Sequence, residues 1–112
     1  FLGPHYVLEK TGEIESWPGA PAQRWHMDTP HLFSTPHHLP PHSINVFIAL
    51  CDLDELNGPT EFQLATHIKA NLAAPKRFAR AFAPRGSAVI YDTRVIHRGG
   101  ENASDKPRML LY

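Results

Sequence analysis

Eleven prolines in 112 residues decide most of what this chain can become. That is about twice the usual share. Proline has no backbone N–H and collides with the preceding helical turn, so it ends helices and is kept out of central strands. Spread from Pro4 to Pro107, the prolines leave room for short strands and many turns and little for long helices.

Between the prolines, strand-like runs alternate with turn chemistry. Tyr6–Leu8 is a weak strand and Glu13–Trp17 another. Pro18-Gly19-Ala20-Pro21 is a turn, and Gln23–Asp28 reads as a strand. Thr29–Ser43, with four prolines and four histidines, must be a loop. Ile44–Cys51, INVFIALC, is the strongest strand, and Asn57-Gly58-Pro59 closes the turn after it. Thr60–Leu64 follows. Ile68–Ala81 is ambiguous, with room for one helical turn over Lys69–Ala74 before Pro75. Gly86–Tyr91, Arg94–His97 and Arg108–Tyr112 close the set. Short, closely spaced strands with almost no helix predict an all-β antiparallel sandwich or barrel of the jelly-roll kind.

The length suits one domain, residues 1–112. Apolar residues make up 42% of the chain, enough for a packed core. Eleven basic side chains cancel eleven acidic ones, so neither a nucleic acid nor an anionic membrane is indicated as a partner. The longest apolar run, Val46–Cys51, is too short to span a bilayer, and the first residues do not read as a signal peptide. Cys51 has no second cysteine to pair with, which makes a reducing, cytoplasmic compartment the expectation. Because the chain starts at Phe1 without a methionine and stops inside an apolar run, it reads as a piece of a longer protein.

Chemistry concentrates in RWHMDTPHLF. On a strand, alternate side chains share a face, so Arg24, His26 and Asp28 point one way and Trp25 and Met27 the other. A His-x-Asp pair alone is weak evidence for a metal grip, since most such pairs are solvated polar residues. YDTRVIHRGG supplies a third partner, His97, and Arg108 begins RMLLY after it. Two histidines and one carboxylate are the facial set that leaves three metal positions open and suits Fe(II) oxygen chemistry. Other polar residues have plainer readings. Asp92 is a turn residue, His67 is structural, and parity puts Gln23 on the Trp25 face, away from the pair. His31, His37, His38 and His42 fit no zinc spacing and sit in a surface loop at the mouth of the site, where they can meet substrate.

WPGAPAQRWHMD, NGPTEFQLATH and GSAVIYDTRVIHRGGENASDKPRMLLY are similar to segments of the phytanoyl-CoA dioxygenase family of Fe(II)/2-oxoglutarate oxygenases. The resemblance runs over roughly residues 14–112. It implies a double-stranded β-helix, a jelly-roll variant, here without the flanking helices of the family. It implies Fe(II) on His26, Asp28 and His97, 2-oxoglutarate as co-substrate, and O₂. Arg108 falls on the arginine that receives the far carboxylate of 2-oxoglutarate, a task for a planar, permanently charged, bidentate donor. Asn45 shares a strand face with Phe47, Ala49 and Cys51 and, if that face lines the barrel, reaches the co-substrate. Phe47 stands where the family often has a tryptophan whose N–H makes that contact, and phenylalanine has no such donor. The implied reaction is hydroxylation of a small-molecule or lipid-like substrate with release of succinate and CO₂. Asp28 favours hydroxylation, since halogenating relatives lack that carboxylate. Two other readings stay open: a cupin-like metal protein without redox chemistry, and a catalytically silent fragment of an oxygenase. Neither fold nor triad names the substrate or the oligomeric state.

Overall fold

The computed structural model describes residues 2–34, 37–74 and 77–112. Thr35 and Pro36 of the expected loop, and Pro75 and Lys76 in the ambiguous segment, lie outside the described residues. Seven strands form: β1 (Glu13–Ser16), β2 (Ile44–Ala49), β3 (Thr60–Gln63), β4 (Phe78–Arg80), β5 (Ala88–Asp92), β6 (His97–Gly99) and β7 (Arg108–Leu111). Among the described residues the one helical element is a turn of 3₁₀ helix, Lys69–Asn71, within the segment expected to make a single turn. No described helix is long and apolar enough to cross a membrane.

The strands make two antiparallel sheets, a four-stranded one in the order β1-β7-β2-β5 and a three-stranded one in the order β4-β3-β6. This is the all-β, jelly-roll arrangement that the proline spacing and strand count predict. Alternation along β2 explains its place. Phe47 and Ala49 are buried, whereas Val46, just before them, faces out and Ile48 between them is half-buried. Leu53, Tyr91 and Leu110 complete the core. The Phe62 ring of β3 meets the Tyr91 ring of β5 at 4.9 Å, so the two sheets pack face to face. Gly58 (φ +70°) lets the chain turn against Gly100 and Glu101, where any Cβ would run into backbone oxygens.

Several boundaries differ from the sequence reading, each for a physical reason. Tyr6–Leu8 forms no strand, and its side chains are largely exposed. Strand propensity without a pairing edge is not enough. Gln23–Asp28 is extended but carries a single bridge, His26 to His97. Its backbone N–H groups at Gln23, His26 and Asp28 donate to Gly99, His97 and Thr93 (each 3.0 Å). The step of three between Gln23 and His26 breaks the two-residue rhythm, as a bulge does. β6 starts at His97 rather than Arg94, because Asp92 shapes a turn: its carboxylate accepts from the Arg94 N–H (2.9 Å), and Val95 N–H donates to the Asp92 carbonyl (2.9 Å). β4 emerges from the ambiguous segment, paired to β3 with Arg80 opposite Glu61.

Asp92 does more than turn the chain. Arg94 is 2% exposed and donates to both of its carboxylate oxygens, Nε to Oδ1 (2.9 Å) and Nη2 to Oδ2 (2.6 Å), and also to the Leu39 carbonyl (3.2 Å). Lys69 donates to the Phe33 and Ser34 carbonyls (3.1 and 2.6 Å). These cations pin the histidine-proline loop, which the proline content alone would leave unanchored. Burial works to raise the Asp92 carboxyl pKa, but the hydrogen bonds from Arg94 outweigh it and hold the group below its ordinary value.

Replacing Asp92 with asparagine keeps the shape and leaves the buried Arg94 charge uncompensated. Asp92→Asn is expected to lose about 3–5 kcal/mol of unfolding free energy, the usual cost of breaking a buried pair from one side. Urea denaturation checks this, and a loss below about 1 kcal/mol, the value of a surface pair, would show that the pair is not a structural anchor.

Candidate metal centre and anion cradle

The centre is assembled where the 23–28 segment runs beside β6. His26 and His97 exchange both backbone hydrogen bonds, His26 N–H to the His97 carbonyl (3.0 Å) and His97 N–H to the His26 carbonyl (2.9 Å). Side chains of such a directly opposed pair lie on the same face. The two imidazoles accordingly stand with ring centroids 4.4 Å apart.

Each imidazole is oriented by the same local device. His26 Nδ1 lies 2.9 Å from the Arg24 carbonyl and His97 Nδ1 lies 2.9 Å from the Val95 carbonyl. A carbonyl accepts, so each Nδ1 carries the hydrogen and each Nε2 presents a lone pair. Asp28 stands between them, with Oδ1 3.8 Å from His26 Nε2 and Oδ2 3.5 Å from His97 Nε2. One ligand atom from each of the three residues falls within 4.8 Å of the others. The parity argument for the pair therefore leads to the right face, and the structure brings the sequence-distant His97 to it. Two neutral imidazole nitrogens and a carboxylate are a donor set for a divalent transition metal.

Asn45 lines the cavity, as its strand face implies, and has partners there that lie on other segments. Its amide nitrogen donates to Asp28 Oδ2 (2.6 Å) and to the Tyr91 hydroxyl (3.0 Å). It supports the carboxylate of the triad and does not reach toward a co-substrate with those hydrogens. The Tyr91 hydroxyl lies 3.4 Å from Asp28 Oδ2 and 3.3 Å from His97 Nε2. Burial pushes the Tyr91 phenol well above its ordinary pKa, so it stays a neutral donor. The sequence reading missed Tyr91. Its one available signal was the pairing of β2 and β5, which sets Tyr91 directly opposite Asn45.

Arg108, at the start of β7, points into the same cavity of about 1130 Å³ as the triad. It is 3% exposed, and its Nε and Nη1 atoms are buried without a hydrogen-bond partner among the described residues. Burial pushes its guanidinium below the ordinary value, the mark of a cation that lacks an anion. Gln23 joins it, contrary to the parity expectation, because the three-residue step carries it to the cavity. Gln23 Oε1 accepts from the Gly99 N–H (2.8 Å). A Cβ on Gly99 would sit 3.1 Å from Gln23 Oε1 and 3.2 Å from Arg108 Nη2, so glycine makes room for this polar cradle. Trp25 packs elsewhere, under the Arg98 guanidinium at 4.4 Å.

The loop histidines do not form a second metal cluster among the described residues. His42, with Pro41, Pro30 and Leu32, lines the cavity, as a loop at its mouth should. His38 stacks edge-on against His67 at 5.6 Å, a structural contact for His67.

Comparison with known proteins points to one family. The family model described as Phytanoyl-CoA dioxygenase (PhyH) matches residues 15–110. The chain is 36% identical over 106 residues to an iron/alpha-ketoglutarate-dependent dioxygenase, penM, of Penicillium thymicola, covering 88% of this chain and 33% of that protein. It is 29% identical over 112 residues to the dioxygenase trt7 of Aspergillus terreus, covering 95% of this chain and 39% of that protein. The chain thus spans well under half the length of these relatives. Among solved structures, AviO1 from Streptomyces viridochromogenes superposes with a TM-score of 0.72 at 23% identity, over 90% of this chain and 46% of that one. SnoK, a non-heme alpha ketoglutarate dependent carbocyclase from nogalamycin biosynthesis, gives 0.72 at 17% identity over 90% and 46%.

The metal-free protein carries a pH signature. Burial lowers the His97 pKa, outweighing the Val95 carbonyl and the Asp28 carboxylate, which raise it. Unfolded, His97 takes up its proton near its ordinary value of 6.5. Below that pH the unfolded state binds more protons than the folded one, so stability is present above it and is lost as pH falls. Thermal melting of metal-free protein between about pH 7.5 and 5 should show this fall, with a shallower slope in His97→Gln. Parallel slopes would show that His97 is not the group responsible.

Proposed function

The chain belongs to the phytanoyl-CoA dioxygenase family, and from that premise we propose that it is an Fe(II)- and 2-oxoglutarate-dependent dioxygenase that hydroxylates a small-molecule or lipid-like substrate and releases succinate and CO₂. Residues 1–112 form one double-stranded β-helix core in this reading. The observation that carries it is the meeting, in one cavity, of the His26, Asp28 and His97 ligand atoms with the buried Arg108 guanidinium, whose Nε and Nη1 have no hydrogen-bond partner among the described residues.

Bound iron with 2-oxoglutarate and O₂ supplies the oxidative decarboxylation and the oxidation of a substrate C–H bond. The chain supplies the rest. His26 and His97 give neutral nitrogen donors already held in the right tautomer. Asp28 offsets part of the metal charge, and its presence favours hydroxylation, because a halide would need its position. Three protein ligands on one face leave three positions for a chelating co-substrate and O₂. Arg108 pairs with the far carboxylate of 2-oxoglutarate, and Gln23 beside it helps to orient that end. Asn45 holds Asp28 in place. Tyr6, Val7, Leu8 and Leu32 give the cavity wall an apolar stretch suited to an apolar substrate body. A cupin-like protein that only binds metal has no use for a buried, unpaired guanidinium at this place, which favours the oxygenase.

Fe(II) and 2-oxoglutarate added without oxygen should produce the weak visible metal-to-ligand charge-transfer band of a chelated keto acid. An iron-loaded, folded protein without the band would refute the reading. His97→Ala is expected to abolish the band. Arg108→Ala should keep it and weaken 2-oxoglutarate affinity about tenfold to a hundredfold, the cost of losing a hydrogen-bonded charged partner. Unchanged affinity in Arg108→Ala would remove its assigned role.

A further inference from the structure

The hydroxyl of Tyr91 sits inside the ligand set, with one hydrogen to give and two acceptors in reach. Its oxygen already accepts from the Asn45 amide (3.0 Å). The same oxygen lies 3.3 Å from His97 Nε2 and 3.4 Å from Asp28 Oδ2, so its hydrogen has both within reach. His97 Nε2 is a lone pair, because the Nδ1 hydrogen goes to the Val95 carbonyl. A metal ion on Nε2 uses that lone pair and removes it as an acceptor. Asp28 Oδ2 then remains, and it already accepts from Asn45 at 2.6 Å.

We propose that Tyr91 is a positioning residue whose hydroxyl hydrogen, shared between His97 Nε2 and Asp28 Oδ2 in the metal-free protein, goes to Asp28 alone when a divalent metal ion binds. Tyr91 and Asn45 together then load Oδ2, so that Asp28 grips the ion through Oδ1 alone. This rests on the iron reading above and extends it. A carboxylate limited to one oxygen takes one coordination position. Two donors on its other oxygen also draw electron density away from the metal. Removing one donor makes Asp28 the stronger ligand and the metal easier to oxidise, which lowers the energy of charge transfer from metal to keto acid.

The ring is fixed independently of the hydroxyl. It packs against Phe47 at 5.2 Å, Phe62 at 4.9 Å and His97 at 4.8 Å. Tyr91→Phe keeps these contacts and deletes the hydroxyl, which separates the proposed role from core packing.

The test compares wild type and Tyr91→Phe with two probes, Co(II) alone and anaerobic Fe(II) with 2-oxoglutarate. The variant is expected to change the visible ligand-field spectrum of bound Co(II) and to move the Fe(II) charge-transfer band to longer wavelength. Superimposable spectra in the two proteins would overturn the proposal and leave Tyr91 a packing residue. If wild type binds Co(II) but gives no charge-transfer band, the co-substrate reading fails and the Co(II) spectra still decide on Tyr91. If wild type binds neither metal, both readings fall. Should Tyr91→Phe not fold, wild type alone decides. Adding Zn(II) should perturb the ultraviolet absorption of one of its three tyrosines as the acceptor changes, and an unperturbed tyrosine spectrum with zinc bound would overturn the proposal.

Discussion

Two backbone hydrogen bonds between His26 and His97 organise this protein. They join the 23–28 segment to β6 at the one point where the segment pairs as a strand does. Because the pair is reciprocal, both side chains leave the same face, and the Nδ1 bonds to Arg24 and Val95 then turn both lone pairs inward. Asp28 follows two residues after His26, and its N–H bond to the Thr93 carbonyl fixes it at the same point. Even the irregular step between Gln23 and His26 has a use, since it turns Gln23 toward Arg108. A regular strand here would have kept the metal ligands and lost the polar neighbour of the anion cradle.

Charge tells the structural cations from the functional one. Arg94 is buried against Asp92 with both oxygens engaged. Glu61 is buried between Arg80 (3.0 Å) and Arg98 (2.7 Å). These groups are matched, and their work is to hold turns and sheet edges. Arg108 is equally buried and lacks such a match among the described residues. Burying an uncompensated charge costs several kcal/mol, so a fold keeps one where a ligand supplies the counter-charge. The contrast comes from partners and not from residue type: three of these arginines have an acidic partner, and the fourth has none among the described residues.

Much of this was legible in the sequence, and the exceptions share a cause. Prolines and strand-forming residues located β1, β2, β3 and β7 to within a residue or two, because turn chemistry bounds each run. The triad was legible because His-x-Asp is a local pattern and His97 ends an apolar run. What failed depends on through-space partners. Tyr6–Leu8 has strand-like residues and no edge to pair with. Gln23 was misplaced because parity assumes an unbroken ladder. Asn45 was rightly placed on the inward face, but its partners, Asp28 and Tyr91, lie on other segments. Tyr91 itself reads as an ordinary core aromatic, and only the register that sets it opposite Asn45 gives it away.

That register also explains why site and fold are one construction. The larger sheet contributes the supports, Asn45 on β2 and Tyr91 on β5. The ligands His26 and His97 belong to the smaller sheet and its neighbouring segment, and Asp28 is tied to the β5–β6 turn through Thr93. The carboxylate is thus held by backbone from one side and by side chains from the other. A shift between the sheets would pull Asn45 and Tyr91 off Asp28 before it disturbed either histidine. Conversely, an ion on the triad binds the folded state and not the unfolded one, and so adds to stability by mass action. The core between the sheets is small, resting on Phe47, Ala49, Leu53, Tyr91 and Leu110, and Tyr91 belongs to that core and to the site at once. Its ring closes the packing while its hydroxyl reaches Asp28 and His97, so one residue joins the core to the candidate centre.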